Sequence, residues 1–392
     1  MIRGTSVRSP KLRAPSAVVV VIAEDLEIHS MPSGAASPSV SSQPKKAPMF
    51  KSTVVTASIF LGSISTLAQT SSPFTLQRTI ELPGVTGKFD HFAIDLSGHR
   101  LFAAATGNHS VEVIDLATNK VSESVTGLGK PHGLVWVAGT QSLYVADGAL
   151  AELRLYRGTP LKLAGKIKLS DDADDMVLDE AAHSLYVGHG GANAANPGRV
   201  VVVDLDTFTS KAEIAAAAHP EALDIDSKGQ RVFANIADAG EVAVVDTATN
   251  TIAAHWKLQQ ASDNVPMAYD PEDGLLFIAC RMPATLLALD DTSGAELARL
   301  PTGGGADDLF YDAALRRVYV IAGVGEIHSY QLEAGRKLDP LPVIATAPGA
   351  KTALFVPTLS LLYVGVPGAG VHAAQIRIFE AHASEQSKAG SH

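Results

Sequence analysis

One apolar strand pattern recurs along the chain from Phe74 onward. Each copy begins with Leu or Val, continues with Phe or Tyr, and ends in two mostly small or β-branched residues. The copies start at Leu101, Leu143, Leu185, Val232, Leu276, Val318 and Leu362. The intervals between these starts are 42, 42, 47, 44, 42 and 44 residues. A period in the low forties is the length of one four-stranded propeller blade.

Every copy of this marker strand is accompanied by further short strands. A strand such as Phe92–Asp95 or Met176–Asp179 precedes the marker and ends in a polar turn. A third strand such as Val111–Asp115 follows the marker, and a fourth such as Thr251–Trp256 leads out of the copy. Short strands joined by tight turns form an antiparallel meander. The sequence therefore predicts an all-β fold, a seven-bladed β-propeller of four-stranded antiparallel blades.

The seventh copy ends after Phe379 without a fourth strand, whereas Phe74–Leu82 is a lone strand ahead of the first copy. We expect Phe74–Leu82 to supply the missing outer strand of blade seven. Such closure removes the unpaired edges that an open array of sheets would expose. The predicted propeller domain covers residues 74–382, and residues 383–392 are expected to form a disordered tail.

The first 68 residues are expected to lie outside this domain. Met49-Phe50-Lys51 is followed by an apolar and small-residue run, Thr53–Ala68, which predicts a signal peptide at residues 49–68 cut before Gln69. A membrane anchor is the alternative, but the run falls short of the roughly 20 residues that a spanning helix needs. Residues 1–48 are either a mis-called upstream start or a disordered leader. We expect a periplasmic or secreted protein without stable membrane insertion.

Charge narrows the choice of partner. The whole chain carries a formal charge of −10 from 31 Lys/Arg and 41 Asp/Glu. Residues 1–73 hold 7 of the basic and 3 of the acidic groups, so the remainder holds 24 and 38, a net −14. An acidic domain argues against nucleic acid. We expect a monomer that binds a small molecule or an exported protein.

Strands such as Leu143-Tyr144-Val145-Ala146, together with Val111–Lys120 and Val242–Thr251, resemble the YVTN-repeat seven-bladed propellers over residues 74–382. The resemblance implies the fold and the repeat class. It leaves the function open, because that family contains binding proteins, uncharacterised exported proteins and lactonase-like relatives. Arg157 and Gln331 replace the Asp that ends the third strand in the other copies up to the sixth.

Candidate chemistry collects where the innermost strands begin. In a propeller, the outer strand of one blade connects to the inner strand of the next across one face, which we call the top face. Asp90, Asp174, Glu221 and Asp307 share one position of the repeat, and we assign His91, His132, Asp175 and Asp308 to the next. Because inner strands converge on the central axis, these side chains are expected to approach one another.

Converging carboxylates and imidazoles can hold a divalent cation, by oxygen ligation for calcium or by mixed ligation for zinc. The predicted metal ligands are Asp90, Asp174, Glu221 and Asp307, with Ca²⁺ as the cofactor considered first. Two alternatives stay open. These side chains can accept hydrogen bonds from backbone donors of the connecting loops, or they can line a water-filled channel.

Loops between the second and third strands of a blade open on the same face. The longest of them, Gly188–Arg199, contains His189. Arg281 is a candidate anion anchor, with an ion pair to Asp307 or Asp308 as the alternative, and Lys351 offers a second cation. Cys280, the only cysteine, is expected to be a buried small hydrophobe. The predicted binding set is Asp90, His91, His132, Asp174, Asp175, His189, Glu221, Arg281, Asp307, Asp308 and Lys351.

Two functions from different classes fit these residues. The first is a non-catalytic binding module that uses the top face and the channel mouth. It is favoured because the sequence has no Gly-x-Ser-x-Gly elbow and no Ser, His and Asp at the spacing of a catalytic triad. The second is a metal-assisted hydrolase or lyase acting on lactones or similar cyclic esters, in which His91 or His132 moves protons.

Overall fold

The computed structural model describes residues 72–191, 196–226, 228 and 230–383. The predicted leader at 1–48 and the signal peptide at 49–68 lie outside the described residues, as does the predicted tail beyond Ala383. The first strand, β1 (Phe74–Leu82), stands ahead of blade one. Short 3-10 helices occur at Thr106–Asn108, Ala138–Thr140, Ala237–Ala239 and Pro357–Leu359.

Blades one to four each consist of four consecutive antiparallel strands. Blade one holds β2 (Phe92–Asp95), β3 (Arg100–Ala105), β4 (Ser110–Asp115) and β5 (Lys120–Val125). Blade two holds β6 (Pro131–Val137), β7 (Ser142–Asp147), β8 (Glu152–Arg157) and β9 (Lys162–Lys168). Blade three holds β10 (Met176–Asp179), β11 (Ser184–His189), β12 (Arg199–Asp204) and β13 (Thr209–Ala215). Blade four holds β14 (Pro220–Ile225), β15 (Arg231–Ile236), β16 (Glu241–Asp246) and β17 (Thr251–Lys257).

Blades five to seven complete the ring. Blade five holds β18 (Ser262–Asp270), β19 (Leu275–Met282), β20 (Ala284–Asp290) and β21 (Glu296–Pro301). Blade six holds β22 (Ala306–Asp312), β23 (Arg317–Ala322) and β24 (Glu326–Glu333), and both β25 (Lys337–Pro340) and β26 (Ile344–Ala345) pair with β24. Blade seven holds β27 (Ala353–Val356), β28 (Leu361–Val366) and β29 (Ala374–Ala381). The predicted all-β, seven-bladed propeller is confirmed.

The outer strand of blade seven is β1. It pairs antiparallel with β29, in a register that runs from Phe74 opposite Ala381 to Leu82 opposite Ala374. The first and last strands of the domain thus lie side by side, as predicted. Ile80 and Leu82 of β1 are buried against Leu101 and Phe92 of blade one, so the closing strand also contributes to the core between blades seven and one.

The marker strands are apolar throughout because both faces of each blade are covered. Successive side chains of a strand point to opposite faces. In β3, Leu101 and Ala103 pack into the cluster shared with blade seven, whereas Phe102 and Ala104 pack into the cluster shared with blade two. This burial on two sides explains why the marker strand shows no alternation of apolar and polar residues.

Aspartates that end strands hold the turns of the blades. The carboxylate of Asp115 accepts hydrogen bonds from the backbone N–H groups of Ala117 and Thr118, at 2.8 and 2.9 Å. Asp246 accepts from Ala248 and Thr249 in the same way. The local hydrogen bonds satisfy turn donors that would otherwise face water. In the part of the chain that is described, we find no helix with the length and apolar character that membrane crossing requires.

Candidate functional site

All seven blades contribute to one cavity at the top face. Its volume is about 550 Å³, and ten of the predicted binding residues line it: Asp90, His91, His132, Asp174, Asp175, Glu221, Arg281, Asp307, Asp308 and Lys351. The cavity continues inward along the innermost strands, past Asp224 and Tyr311. The predicted convergence of these side chains on one space is therefore present in the structure.

Strand register defines two rings of side chains at this mouth. The third residue of each marker strand faces an inner-strand residue, namely Phe92, Leu134, Met176, Leu223, Met267, Leu309 or Ala353. We call the position two residues earlier the mouth ring: Asp90, His132, Asp174, Glu221, Val265, Asp307 and Lys351. The next position is the channel ring: His91, Gly133, Asp175, Ala222, Pro266, Asp308 and Thr352.

This register corrects one assignment made from the sequence. The sequence pattern groups His132 with His91, but the residue lies in the mouth ring beside Asp90 and Asp174. The register of β6 against β7 shifts between Pro131 and Leu134, so local residue type is a poor guide there. The channel-ring position of blade two is Gly133, where a Cβ atom would lie 2.5 Å from the carbonyl oxygen of Asp174.

A β-bulge explains how two consecutive residues both face the cavity. The backbone N–H of Asp90 donates to the carbonyl of Ala104, and the N–H of Ala104 donates to the carbonyl of His91. Two residues of the inner strand therefore oppose one residue of its neighbour, and the same pattern joins Asp174 and Asp175 to Gly188. A bulge re-aims side chains that regular pleating would send to opposite faces.

Four mouth-ring and adjacent side chains form a continuous cluster. Nδ1 of His132 lies 2.6 Å from Oδ2 of Asp90 and 3.3 Å from Oδ1 of Asp174. The other oxygen of Asp174 lies 3.1 Å from Nε2 of His219, whose Nδ1 contacts the carbonyl of Gly190. Asp90 and His132 are buried, with 7% and 5% of their surfaces exposed. The carboxylate of Asp174 is therefore held between two imidazoles.

Burial and charge shift the pKa values of this cluster in opposite directions. Burial alone would raise the pKa of Asp90, but the hydrogen bond from His132 and the charge of His91 outweigh it, and the pKa is lowered. Burial would lower the pKa of His219, but Asp174 raises it to about 9. Burial and the neighbouring Asp174 raise the pKa of Glu221. The cluster pairs ionised carboxylates with protonated imidazoles.

Carboxylates of the channel ring bind the next blade. The backbone N–H of Leu223 donates to Asp175, and that of Ala353 donates to Asp308, at 2.9 and 2.6 Å. Asp224, two positions further in, accepts from the N–H of Tyr269 at 2.8 Å. These bonds satisfy inner-strand donors that no other strand reaches. For Asp175 and Asp308, acceptance of backbone hydrogen bonds is thus the arrangement found.

His91 connects the channel ring across the cavity. Its Nδ1 lies 3.2 Å from Oδ1 of Asp308, which belongs to blade six, and its Nε2 lies 3.7 Å from Oδ1 of Asp90. Burial would lower the pKa of His91, but Asp308 and Asp175 raise it well above the usual value. Burial itself raises the pKa of Asp175 to about 6 and that of Asp224 to about 7.

The two cations predicted from the sequence hold a single carboxylate. Nη2 of Arg281 contacts Oδ1 of Asp307, and Nζ of Lys351 lies 2.7 Å from Oδ2 of the same residue. Arg281 also donates from Nε to the carbonyl of Ala306 at 2.9 Å. The ion-pair alternative for Arg281 is thus the arrangement found. Cys280 is buried beside it, and burial raises the pKa of its thiol to about 12.

His189 lies apart from the side chains that line the cavity. It is 1% exposed and contacts Ser170 and Glu213 through its two ring nitrogens, at 3.0 and 3.2 Å. Sequence reasoning missed four charged or titratable residues that do line it: Lys88, Lys130, Asp172 and His219. All four stand two residues before the mouth ring, so counting back from the marker strand would have identified them.

Two groups of side chains bring ligand atoms close enough to hold a cation. One is Asp90, His132 and Asp174, and the other is Asp174, His219 and Glu221. Three of the four metal ligands predicted from the sequence belong to these groups. Within the described ranges neither group includes Asp307, which Arg281 and Lys351 neutralise. The histidines change the expected preference from calcium toward metals that accept nitrogen ligands.

Comparisons with known proteins support the fold more strongly than any function. The chain matches no protein-family model. It is 24% identical over 201 residues to the uncharacterized protein YncE of Salmonella typhi and to that of Salmonella typhimurium strain LT2. The match covers 48% of this chain and spans 56% of the length of those curated relatives.

Solved structures agree in architecture at low sequence identity. A chain of Kuenenia stuttgartiensis hydrazine synthase superposes with a TM-score of 0.64 and 16% identity, over 72% of this chain and 93% of that one. A chain of a mitotic checkpoint complex superposes with a TM-score of 0.67 and 12% identity, over 86% and 99%. Identities this low establish the fold alone. The protein is a seven-bladed β-propeller with weak similarity to YncE.

Proposed function

We propose that this protein is an exported, YVTN-type propeller that binds a small, positively charged ligand in the cavity of its top face. The carrying observation is the charge of the cavity wall. Eight carboxylates line it, against four Lys/Arg side chains. A wall of this composition attracts cations and repels anions, particularly where the surrounding protein lowers the dielectric constant. A volume of about 550 Å³ suits a small molecule or ion better than a protein surface.

Ligand-induced stabilisation tests the proposal across whole classes of cation. The full chain would be melted with divalent metal ions, polyamines and basic amino acids. A ligand at 100 times its dissociation constant stabilises the folded state by about 2.7 kcal/mol. We expect at least one cationic class to raise the Tm. Asp174→Asn should abolish that rise, whereas Asp204→Asn, at an exposed turn outside the cavity, should retain it. Unchanged melting with every class would refute the proposal.

One observation keeps the hydrolase alternative open. Asp90 and His132 form a buried carboxylate–imidazole pair, and no described residue hydrogen-bonds to Nε2 of His132. An imidazole oriented by a carboxylate through one nitrogen is the arrangement of a general base. The test is hydrolysis of γ- and δ-lactones by the purified protein. Activity lost in His132→Gln would support the alternative, and equal rates for both proteins would exclude it.

A further inference from the structure

We propose that Asp90, His132 and Asp174 form a binding site for one divalent transition-metal ion of the zinc type. This inference deepens the proposed function, since the metal would be the cation, or part of the cation site, that the cavity binds. It also makes a narrower claim, because it replaces the oxygen-only calcium site expected from the sequence with mixed nitrogen and oxygen ligation.

The first argument is the convergence of three acceptor atoms on one point. Nδ1 of His132 faces Oδ2 of Asp90 and Oδ1 of Asp174, at 2.6 and 3.3 Å. A single hydrogen on Nδ1 can be directed at only one of these oxygens. In a tetrahedral zinc site with bonds of about 2.0–2.2 Å, neighbouring ligand atoms are about 3.3 Å apart. One distance already has this value, and the other requires a shift of less than an ångström.

The second argument is the free nitrogen of His132. The residue is 5% exposed, yet among the described residues no hydrogen-bond partner reaches its Nε2. Oδ1 of Asp172 is the facing acceptor, at 3.7 Å. Gly148 makes room for this approach, since a Cβ atom there would lie 2.3 Å from that oxygen. Metal-bound histidines usually donate their second N–H to a carboxylate or carbonyl, and Asp172 is placed to accept it.

The third argument assigns a different part to His219. Its Nδ1 contacts the carbonyl of Gly190 and its Nε2 contacts Oδ2 of Asp174. Both partners are acceptors, so both ring nitrogens donate, and neither has a lone pair for a metal. His219 is therefore a positioning residue that holds the carboxylate of Asp174 with its other oxygen toward His132. Hydrogen-bonded carboxylate ligands of this kind are a regular feature of metal sites.

Metal binding by the full chain, produced without a polyhistidine tag and stripped with chelator, tests the inference. Zn²⁺ alone is the probe, followed by calorimetry and elemental analysis. We expect one ion per chain, and an affinity for Zn²⁺ well above that for Ca²⁺. His132→Gln and Asp90→Asn should each weaken Zn²⁺ binding by at least about tenfold. His255→Gln, which removes an imidazole paired with Glu241 outside the cavity, should change it less than about twofold.

A second measurement covers the case in which a buried variant fails to fold. Co²⁺ added to the unsubstituted protein should produce the intense visible absorption of a four-coordinate site, and Zn²⁺ should displace it. An absence of Zn²⁺ binding, or undiminished binding by folded His132→Gln, would overturn the inference. If organic cations still raise the Tm and Asp174→Asn abolishes that rise, the proposed function survives. Failure of every cation defeats both.

Discussion

Asp224 provides a test of the electrostatics of the channel. Its carboxylate lies beneath the mouth ring, accepts hydrogen bonds from Ile225 and Tyr269, and has a pKa that burial raises to about 7. In the unfolded chain this carboxyl has the ordinary aspartate pKa of 3.8. The folded state therefore holds the proton more tightly. Its contribution to stability is complete below about pH 4 and is lost as the pH rises through 7.

The magnitude follows from these two pKa values. Between pH 5 and pH 8 the folded protein should lose at most about 2–3 kcal/mol through this group. This figure is an upper limit, because part of the Asp224 side chain is open to the cavity. Asp224→Asn keeps one acceptor oxygen but removes the titration. The variant should therefore gain stability relative to the unsubstituted protein as the pH rises from 5 to 8.

Urea unfolding at both pH values measures the effect, followed by tryptophan fluorescence. Asp246→Asn is the control, because this exposed turn aspartate has a lowered pKa and stays ionised throughout the range. Asp175, whose pKa is raised to about 6, is present in every protein and cancels from the comparison. An Asp224→Asn difference that is the same at pH 5 and pH 8 would refute the reasoning.

Three further outcomes are expected. Ile80→Ala should cost about 2–5 kcal/mol of unfolding free energy because Ile80 is 2% exposed in the core beside blade one; Leu76→Ala, at 49% exposure on the same strand, should cost less than about 0.5, and equal losses in urea would contradict this packing. Gly133→Ala should lower the Tm because its Cβ would meet a main-chain oxygen at 2.5 Å, whereas Gly139→Ala meets nothing within 4 Å and should be neutral. Cys280 should resist thiol reagents at pH 8 until the protein is unfolded, and rapid labelling of the native protein would show that it is not buried.

The architecture was predictable because burial on two sides repeats in every blade. Alternate residues of strands such as Arg100–Ala105 face different neighbours, so each marker strand must be apolar throughout, and seven such strands are easy to count. The spare strand Phe74–Leu82 was interpretable for the same reason: it has one apolar face and no partner within the first copy. Repetition converts a local pattern into a global fold.

The site was predictable in its location but not in its connections. The sequence indicates which strand ends meet, but it does not reveal which oxygen of Asp174 faces which imidazole. The sequence pattern puts His132 one position away from its ring because the bulge at β6 changes the local count. His219 precedes a proline at the strand start, and only its position two residues before Glu221 connects it with the mouth ring. Pairings such as Arg281 with Asp307 depend on side-chain reach across blades.

Closure by β1 has a consequence for the order of assembly. The partners Gln77 and Glu380 are 303 positions apart, so the chain must be synthesised almost completely before this pair of strands can form. Until then β1 lacks its partner, and contacts of such sequence separation form slowly. Six blades can assemble as the chain emerges, but the seventh waits for the last dozen described residues. A truncation that removes them would leave two sticky sheet edges, one at each side of the gap.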